Sequence, residues 1–282
     1  MNPELIAEQA DEGLRLDIFL TQKLSGFSRS RIQEWIESGA VLCGSAPAHS
    51  ARKLKLGDKI SVSIPDDETS VKAEDIPLQI LYEDSDMMAV NKPAGMVTHP
   101  AKGHAHGTLA NAVVHKLQHS RTKQTKSNRM GLVHRLDKDT SGVLLIGKNR
   151  EEAQKLAQQF KDRTISKVYR AIVQGKVTPK RGRIVGSLGR DFDSGKIAVK
   201  TSGRYSETLF KVLGNFGEYS YLEVYPRTGR THQIRVHLSQ IGHPVMGDTM
   251  YGEECALVKR QMLHAFSIEF AHPRTSRRKK LS

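Results

Sequence analysis

Segments typical of β-strands follow one another in the second half of the chain, with only glycine-containing turns between them. Three of them are "KVYRAIVQGKV", "SETLFKVLG" and "YSYLEVYP", and "HQIRVHL" continues the series. A doubly wound parallel sheet needs strands and helices in alternation, whereas consecutive strands favour antiparallel pairing. We therefore predict an α+β protein with a large, mainly antiparallel sheet flanked by helices.

Two further strands and one helix are predicted upstream, within a large domain that we place at residues 78–273. "MMAVNKP" and "GVLLIGKN" are apolar enough to be buried strands. The helix follows Asn149, the expected N-cap, and Glu152 is the expected partner in a capping box. The face of this helix that we expect to be buried comprises Ala153, Leu156, Ala157 and Phe160.

Residues 1–64 are predicted to form a smaller α/β domain with a core at residues 14–64. Two helices are indicated by apolar residues at helical spacing, and Ser28 and Gly39 mark the start and end of the second helix. Short strands with turns at Gly44 and Gly57-Asp58 complete the domain. Residues 65–77 contain five acids between two prolines, a composition typical of a linker.

The chain carries 44 lysines and arginines against 30 acidic residues, a formal net charge of +14. Such an excess repels itself and is most simply explained by a polyanionic partner such as a nucleic acid. General solubility or a basic tail is the alternative, and we predict a basic tail at residues 274–282. Removing the five cations of "RTSRRKK" still leaves +9, so the rest of the chain is basic as well.

Other features narrow the class of protein. Cys43 and Cys255 are the only cysteines, too few for a zinc-ligand pattern or a disulfide framework. The first residues lack the basic and apolar segments of a signal peptide, and no apolar run reaches the length needed to span a bilayer. We expect a cytoplasmic protein with no membrane partner.

Four basic side chains of the small domain are candidates for nucleic-acid contacts. Arg29 and Arg31 lie at the start of the second predicted helix, where exposed backbone amides also favour phosphate. Lys53 and Lys55 add positive charge in a later loop. We predict that these four residues bind nucleic acid, although a solvated basic surface would have the same composition.

The segment "GLVHRLDKDTSG", residues 131–142, joins two apolar stretches and contains two carboxylates. A calcium loop starting at Asp137 would need a glutamate where Lys148 stands, and a kinase catalytic loop would lack the leucine after the arginine. Three nearby histidines have no cysteine or paired carboxylate close in sequence, so we predict no metal. One aspartate in a polar loop remains, and a turn without catalytic function is still possible.

A second charged segment is "PRTGRTHQIRVHL", residues 226–238. On a strand, Arg235 would share one face with Gln233 and His237. A buried arginine needs an anionic partner, because an unpaired charge inside a protein is costly. Asp137 would provide that partner. Tyr169, on a predicted strand, could belong to the core or present its ring to a base.

Taken together, these segments resemble the RluA/RluD-type pseudouridine synthases, which modify ribosomal and transfer RNA. "GLVHRLDKDTSGVLL" is similar to the signature of this family, and the likeness continues at "KVYRAIVQG" and "TGRTHQIRVHLSQIGHPVMGDTMYG". It covers residues 76–273 in four ordered blocks, of which the first is "ILYEDSDMMAVNKPAGMVTHPAKGHAHGTLANAV". Residues 14–64 resemble the S4 RNA-binding domain, which many members of the family carry.

The resemblance implies an enzyme that converts uridine in RNA to pseudouridine without a cofactor. Asp137 would be the catalytic aspartate, paired with Arg235. Arg135 would help to flip the target nucleotide, and Tyr169 would pack on the uracil ring. Three more residues of the matching motifs are implied in substrate binding, namely His134, Arg230 and His232.

The family also implies the partner and leaves other functions open. We expect a monomer acting on RNA, with large-subunit ribosomal RNA favoured over transfer RNA. The alternatives are a catalytically inert RNA-binding or ribosome-assembly protein and a hydrolase of small nucleosides. Two departures from the family stand out, the turn "LCGSAPAH" in the small domain and the basic end of the chain where a final strand is usual.

Overall fold

The computed structural model describes residues 3–24, 27, 29–63, 71–101, 103–119 and 131–282. They form two compact units, Met1–Ser70 and Val71–Ser282. The predicted N-cap Ser28 and residues 65–70 of the predicted linker lie outside the described residues. Within the predicted linker, Glu74 donates its backbone N–H to the Asn111 carbonyl of the second unit, at 3.2 Å.

The first unit packs two helices on a four-stranded antiparallel sheet of order β1-β4-β2-β3. Phe19 from the first helix and Ile32 and Trp35 from the second are buried in one apolar core, as their helical spacing predicts. Gly39 ends the second helix with a φ of 78°, a conformation that glycine adopts readily. The elements are β1 (Glu4–Ile6), α1 (Leu16–Lys23), α2 (Arg29–Glu37), β2 (Val41–Cys43), β3 (Ala46–Pro47) and β4 (Lys59–Val62).

The second unit is built on a ten-stranded sheet in which nearly all neighbours are antiparallel. Its strands are β5 (Ile80–Glu83), β6 (Met87–Lys92), β7 (Ser141–Gly147), β8 (Ser166–Gln174), β9 (Arg181–Arg190), β10 (Ile197–Val199), β11 (Arg204–Phe216), β12 (Tyr219–Pro226), β13 (Leu263–Ala271) and β14 (Arg278–Leu281). Its helices are α3 (Leu109–Gln118), α4 (Arg150–Lys161) and α5 (Gln233–Gln240). The strand order is β10-β9-β11-β12-β8-β13-β7-β6-β5, with β14 beside β13. The predicted α+β class and antiparallel sheet are therefore confirmed.

The exception is a short parallel contact between β7 and β13, in which Ser141 pairs with His264 and Gly142 with Ala265. A Cβ atom at Gly142 would lie 2.2 Å from the Ala265 carbonyl oxygen, so only glycine allows this approach. The contact fixes the start of β7, and therefore the preceding aspartate loop, against a strand near the end of the sequence.

The segment "HQIRVHL", predicted as a strand, is helix α5. Its alternation of polar and apolar residues is misleading, because the polar residues Gln233, Arg235 and His237 are buried together with their apolar neighbours. In a helix, residues two apart point in nearly opposite directions, so the predicted common face of these three is wrong. Gln233 and His237 instead both contact Thr208 of β11, at 2.9 Å.

The predicted basic tail is also wrong, because Arg278–Leu281 form strand β14 along β13. Two cations of this segment have partners at the sheet surface: Arg278 binds Glu269 at 2.9 Å, and Lys279 lies over the Tyr82 ring. Leu281 packs against an apolar cluster under the sheet. Charge density made the segment look like a solvated tail, although every second residue is half-buried.

Of the two hydrogen bonds predicted for the capping box of helix α4, only one is present. The Asn149 side chain accepts a hydrogen bond from the Glu152 backbone N–H at 3.0 Å. The Glu152 carboxylate does not return to the cap, as a capping box requires, because it binds Lys155 at 3.3 Å.

Candidate active site

The loop before β7 presents Asp137 through a tight turn that several backbone contacts hold. The Thr140 N–H donates to the Asp137 carbonyl at 3.1 Å. Lys92, fully buried at the end of β6, donates to three carbonyls, including Lys138 of this loop at 3.0 Å. Burial lowers the pKa of Lys92 to about 8, against the opposing charges of Asp139 and Asp137. Lys92 therefore attaches this loop to the end of β6.

Residues after Asp137 attach the loop to β13 and the segment before it. Arg260 donates to the Asp139 carbonyl at 3.2 Å, and Gln261 donates to the Thr140 hydroxyl at the same distance. Ser141 contacts the His264 ring at 2.9 Å. Asp139 and its neighbours thus build the turn that presents Asp137.

Arg235 of α5 joins two carboxylates at the centre of the site. Its Nη1 lies 3.0 Å from Oδ2 of Asp137, the pairing expected from the sequence. The other side of the guanidinium binds Asp248 through two hydrogen bonds, at 2.6 and 2.9 Å. The side chains of Arg235 and Asp248 are 7% and 1% exposed, whereas that of Asp137 is 23% exposed. Asp248 therefore holds the arginine, and the arginine holds the more open Asp137.

His232 and Tyr251 form a second line of contacts to Asp137. The Ile197 N–H donates to the Tyr251 hydroxyl oxygen at 3.1 Å, and this hydroxyl lies 2.8 Å from Nδ1 of His232. Because the hydroxyl already accepts from this amide, we assign its own proton to the contact with Nδ1. In this assignment the imidazole proton is on Nε2, 3.9 Å from Asp137 Oδ2. Burial lowers the pKa of His232 and favours this neutral form.

The backbone at His232 is held in the left-handed region, with φ 53° and ψ 17°. Residues other than glycine rarely adopt this conformation, and it is often found where function requires it. The turn projects the His232 ring into the cavity beside Asp137. The Tyr251 ring supports the same arrangement, because the Arg235 guanidinium lies 5.0 Å from its centroid.

Tyr169 lies on β8, and its ring belongs both to the apolar core and to the wall of the cavity. It packs against two apolar clusters of the sheet and also lines the cavity that contains Asp137. Burial, and then the charge of Asp137, raise the pKa of its hydroxyl. The phenol is therefore neutral, and it lines the same cavity as the carboxylate.

These side chains surround one cavity of about 500 Å³. Its lining is strongly basic, because Asp137 is the one carboxylate among seven arginines and lysines in the part of the lining that the structure describes. These cations are Arg135, Lys161, Arg163, Lys167, Arg227, Arg230 and Arg235. A cavity of this size and charge can take one nucleotide and its phosphate groups.

The remaining predicted substrate-binding residues also lie on the cavity wall, and they differ in exposure and in hydrogen bonding. Nε2 of His134 accepts a hydrogen bond from the Leu145 N–H at 2.9 Å, and its ring stacks on Phe160. Burial, with a smaller effect of Lys167, lowers the pKa of His134 to about 3, so His134 is a neutral wall residue. Arg135 is exposed and Arg230 donates to the Tyr205 carbonyl at 3.2 Å.

The four residues of the first unit that are predicted to bind nucleic acid differ in exposure and in ion pairing. Lys53 and Lys55 are exposed. Arg31 binds Glu34 at 3.1 Å. Arg29 donates two hydrogen bonds to the fully buried Asp17, so much of its charge is neutralised within the fold.

Four important residues of the site were absent from the sequence prediction. Lys92 ends a buried strand, and Asp248 and Tyr251 follow a glycine in "GDTMYG" within a block that resembles the family. Lys167 precedes Tyr169 by two positions. A charged residue at the end of a buried strand was the available signal for Lys92, because such a side chain must find partners inside.

Asp84, Asp86 and His272 form the one cluster within the described ranges that has metal-ligand composition and spacing. Its atoms already have partners in the protein. Nδ1 of His272 accepts from two backbone amides while Nε2 donates to Asp84 at 2.7 Å, and Asp86 is paired with Arg274. This cluster is therefore a network of hydrogen bonds and ion pairs that joins β5, β6 and β13.

The helices that the structure describes include none that is long and apolar enough to cross a bilayer. Known families match both units: RNA pseudouridylate synthase matches residues 86–240, and the S4 domain matches residues 14–60.

Similar proteins agree with these matches. An uncharacterized RNA pseudouridine synthase of Bacillus subtilis strain 168 is 38% identical over 96% of this chain and 90% of its own length. Ribosomal large subunit pseudouridine synthase D of Nitrosomonas europaea is 42% identical over 93% of this chain and 78% of its own length. Among solved structures, human RNA pseudouridylate synthase domain containing 1 has a TM-score of 0.59 and 28% identity, over 74% of this chain and 83% of that chain.

A mainly antiparallel domain with a basic cavity, preceded in sequence by an S4 domain, defines an enzyme that acts on RNA. The chain belongs to the RNA pseudouridylate synthase family, which confirms the family predicted from its motifs. Its activity is accordingly that of an RNA pseudouridine synthase, an isomerase.

Proposed function

We propose that the enzyme converts specific uridines of large-subunit ribosomal RNA into pseudouridine, with Asp137 as the catalytic aspartate. The observation that carries this proposal is the arrangement of the Asp137 carboxylate in the cavity. Its Oδ2 is held by Arg235, whereas Oδ1 has no hydrogen-bond partner among the residues described. Relatives from Nitrosomonas europaea and Neisseria meningitidis, both named ribosomal large subunit pseudouridine synthase D, support the choice of RNA.

The cavity explains why the substrate nucleotide must leave the RNA helix or loop. The reaction breaks the bond between uracil N1 and ribose C1′ and joins C5 to the same carbon, so the base has to turn while it stays enclosed. C5 then loses its proton and N1 gains one, which makes the reaction an isomerisation. An aromatic face tolerates that rotation better than a set of directional hydrogen bonds. In our proposal Tyr169 provides this face, and Arg135, exposed at the cavity, helps to displace the nucleotide or fills its place.

A carboxylate beside C1′ suits the cleavage step. Positive charge develops on the ribose as the glycosidic bond breaks, and Asp137 can stabilise it, bond to C1′ or accept a neighbouring proton. The electrons of the broken bond move to uracil, which becomes more basic at its carbonyl oxygens and ring nitrogens. Nε2–H of His232 and the Arg230 guanidinium lie on the same cavity wall and are our candidates for binding the negatively charged base.

The first unit is proposed to bind the surrounding RNA through the exposed Lys53 and Lys55 and through Arg31, with Arg29 mainly structural. We propose a monomer that acts in the cytoplasm.

The proposal is tested by incubating the full-length enzyme with ribosomal RNA and mapping pseudouridine by carbodiimide-dependent primer extension. We expect specific stops with the wild type and a loss of about 10³-fold or more in rate for Asp137→Asn. Asp139→Asn is the matched control, because it removes a carboxylate from the same loop, and it should retain activity within a few-fold.

Three results would contradict the proposal. RNA binding without any pseudouridine in the wild type would indicate an inert binding protein, and release of free uracil would indicate a hydrolase. A larger loss for Asp139→Asn than for Asp137→Asn would show that the wrong carboxylate is assigned.

A further inference from the structure

Strand β8 presents a second functional side chain next to Tyr169. Successive residues of a strand point to opposite faces, so Ile165, Lys167 and Tyr169 share the face that lines the cavity. Two residues along a strand correspond to about 7 Å. The backbone positions of Lys167 and Tyr169 are therefore about 7 Å apart. This spacing is comparable to the distance between the base and the backbone of one nucleotide.

The Lys167 ammonium is half-buried and has no anionic partner. Its Nζ lies 3.4 Å from the Thr228 carbonyl, and no carboxylate of the described residues lies within 4.0 Å of it. Burial lowers the pKa of Lys167 to about 8. A cation removed from water without a counter-charge is unfavourable, and it gains most from an anion that enters the cavity.

The same wall carries more cations without carboxylate partners. Lys161, Arg163, Arg227 and Arg230 line the same cavity as Lys167, and within the described part of the chain none of them forms an ion pair. Asp137, the one carboxylate of the lining, is already bound by Arg235. This wall is therefore positive and uncompensated in the absence of substrate.

The loop beside Lys167 is held by hydrogen bonds and has no side chain at its centre. The Gln233 side chain accepts hydrogen bonds from the Thr228 hydroxyl at 2.6 Å and from the Arg230 N–H at 3.0 Å. Between them lies Gly229, where a Cβ atom would already be in van der Waals contact with Lys167 Nζ, at 3.8 Å. Gly229 and Lys167 both line the cavity, so a phosphate oxygen would approach the ammonium from the cavity, with no side chain of residue 229 in its way.

We propose that Lys167, with Arg163 and Arg227 of this wall, binds a phosphodiester of the RNA backbone next to the flipped uridine. The inference rests on the proposed function and specifies how its substrate is held. A backbone phosphate fixed beside Tyr169 explains how the enzyme can retain the ribose while the uracil turns. It also predicts that RNA is strongly preferred to free uridine, which has no phosphate.

The test combines a protein variant with a modified substrate, once the target uridine has been mapped with the wild type. A short RNA substrate carries a neutral methylphosphonate in place of the phosphate on the 5′ or the 3′ side of that uridine. For one of these two RNAs we expect kcat/KM of the wild type to fall about tenfold. Lys167→Met should lose about tenfold on the natural RNA and lose nothing further on that modified RNA.

Lys211→Met is the matched control, because Lys211 is exposed on β11 and does not line the cavity. It should respond to the methylphosphonate as the wild type does. Lys167→Arg, which keeps the charge, should recover most of the activity, and thermal melting verifies that each variant is folded. If the losses of Lys167→Met and of both methylphosphonates multiply, Lys167 does not bind either phosphate and the inference is wrong. Absence of pseudouridine with the wild type would instead contradict the proposed function.

Discussion

Two clusters of buried charges, one in each unit, use the same residue types in opposite arrangements. In the first unit a carboxylate is at the centre: Asp17 is fully buried and accepts hydrogen bonds from Arg15, Arg29 and Gln33. In the second unit a guanidinium is at the centre: Arg235 is 7% exposed and binds Asp248 and Asp137.

The difference separates a structural cluster from a reactive one. Both oxygens of Asp17 are occupied by donors of the protein, so this carboxylate has no capacity left for a ligand. Around Arg235, Asp248 accepts two hydrogen bonds from the guanidinium and two from the backbone amides of Met250 and Tyr251. The Asp137 carboxylate accepts one from Arg235, on Oδ2, and its Oδ1 has no hydrogen-bond partner among the described residues. The second arrangement keeps a charged carboxylate available to a substrate.

Among the variants that test this comparison, a replacement of Asp248 is expected to have the largest effect on stability and activity. Asp248→Asn removes the charge that holds Arg235, and breaking a buried ion pair in this way costs about 3 kcal/mol of unfolding free energy. We also expect kcat to fall about a hundredfold, because Arg235 no longer fixes Asp137. Urea denaturation and single-turnover assays measure the two effects, with Asp137→Asn as the control that lowers activity with little loss of stability. An active, stable Asp248→Asn enzyme would contradict the assigned role.

The cluster in the first unit should affect stability alone. Asp17→Asn weakens the hydrogen bonds from the two arginines and should cost about 2 kcal/mol in that unit. Trp35 is the only tryptophan of the chain and is buried in this core, so its fluorescence reports unfolding of the first unit selectively.

The pH dependence sharpens this prediction. The hydrogen bonds from Arg15, and then those from Arg29 and Gln33, hold the pKa of Asp17 well below its usual range. The stability that Asp17 contributes is therefore present above about pH 4, the pKa of an unfolded aspartate, and is lost as pH falls toward the folded value. Asp17→Asn should remove this acid-dependent part of the stability. Equal acid dependence in both proteins would show that Asp17 does not cause it.

The smallest effect is expected at the positioning residue Tyr251. Tyr251→Phe keeps the ring over Arg235 but removes the hydroxyl that donates to His232, so we expect kcat to fall about tenfold with little change in KM. Loss of a donor to the neutral imidazole raises the His232 pKa, so any change in rate that accompanies protonation of His232 moves to higher pH. In His232→Asn, whose side chain tolerates the left-handed backbone, that change should be absent. An unchanged pH profile in Tyr251→Phe would assign Tyr251 to packing alone.

Asp137 was correctly predicted as the partner of Arg235, although Arg235 was assigned to the wrong type of secondary structure. The requirement for an anion near a buried arginine does not depend on the element that carries it, and this is why the Asp137 pairing was predicted although Arg235 lies on α5. The element itself was missed because the alternation of polar and apolar residues was interpreted as the period of a strand. Gln233 and His237 are buried by hydrogen bonds to β11, which local patterns do not reveal.

Residues whose partners lie far away in sequence were the hardest to predict. Asp248 follows a glycine and looks like an ordinary turn residue until α5 brings Arg235 next to it. The cations of β14 look solvated until β13 pairs with them. Apolar periodicity, in contrast, correctly predicted α1, α2 and α4, because a helix buries its own repeating face.

The parallel contact of Gly142 with Ala265 has a consequence for the order in which the enzyme is made. Contacts between residues far apart in sequence form late in folding, because a long loop must close first. The loop of Asp137 depends on Arg260, Gln261 and the start of β13, all synthesised more than a hundred residues later. A nascent chain that has only reached the aspartate therefore lacks the anchor of its own active site, and catalytic competence arrives only with the last strands of the sheet.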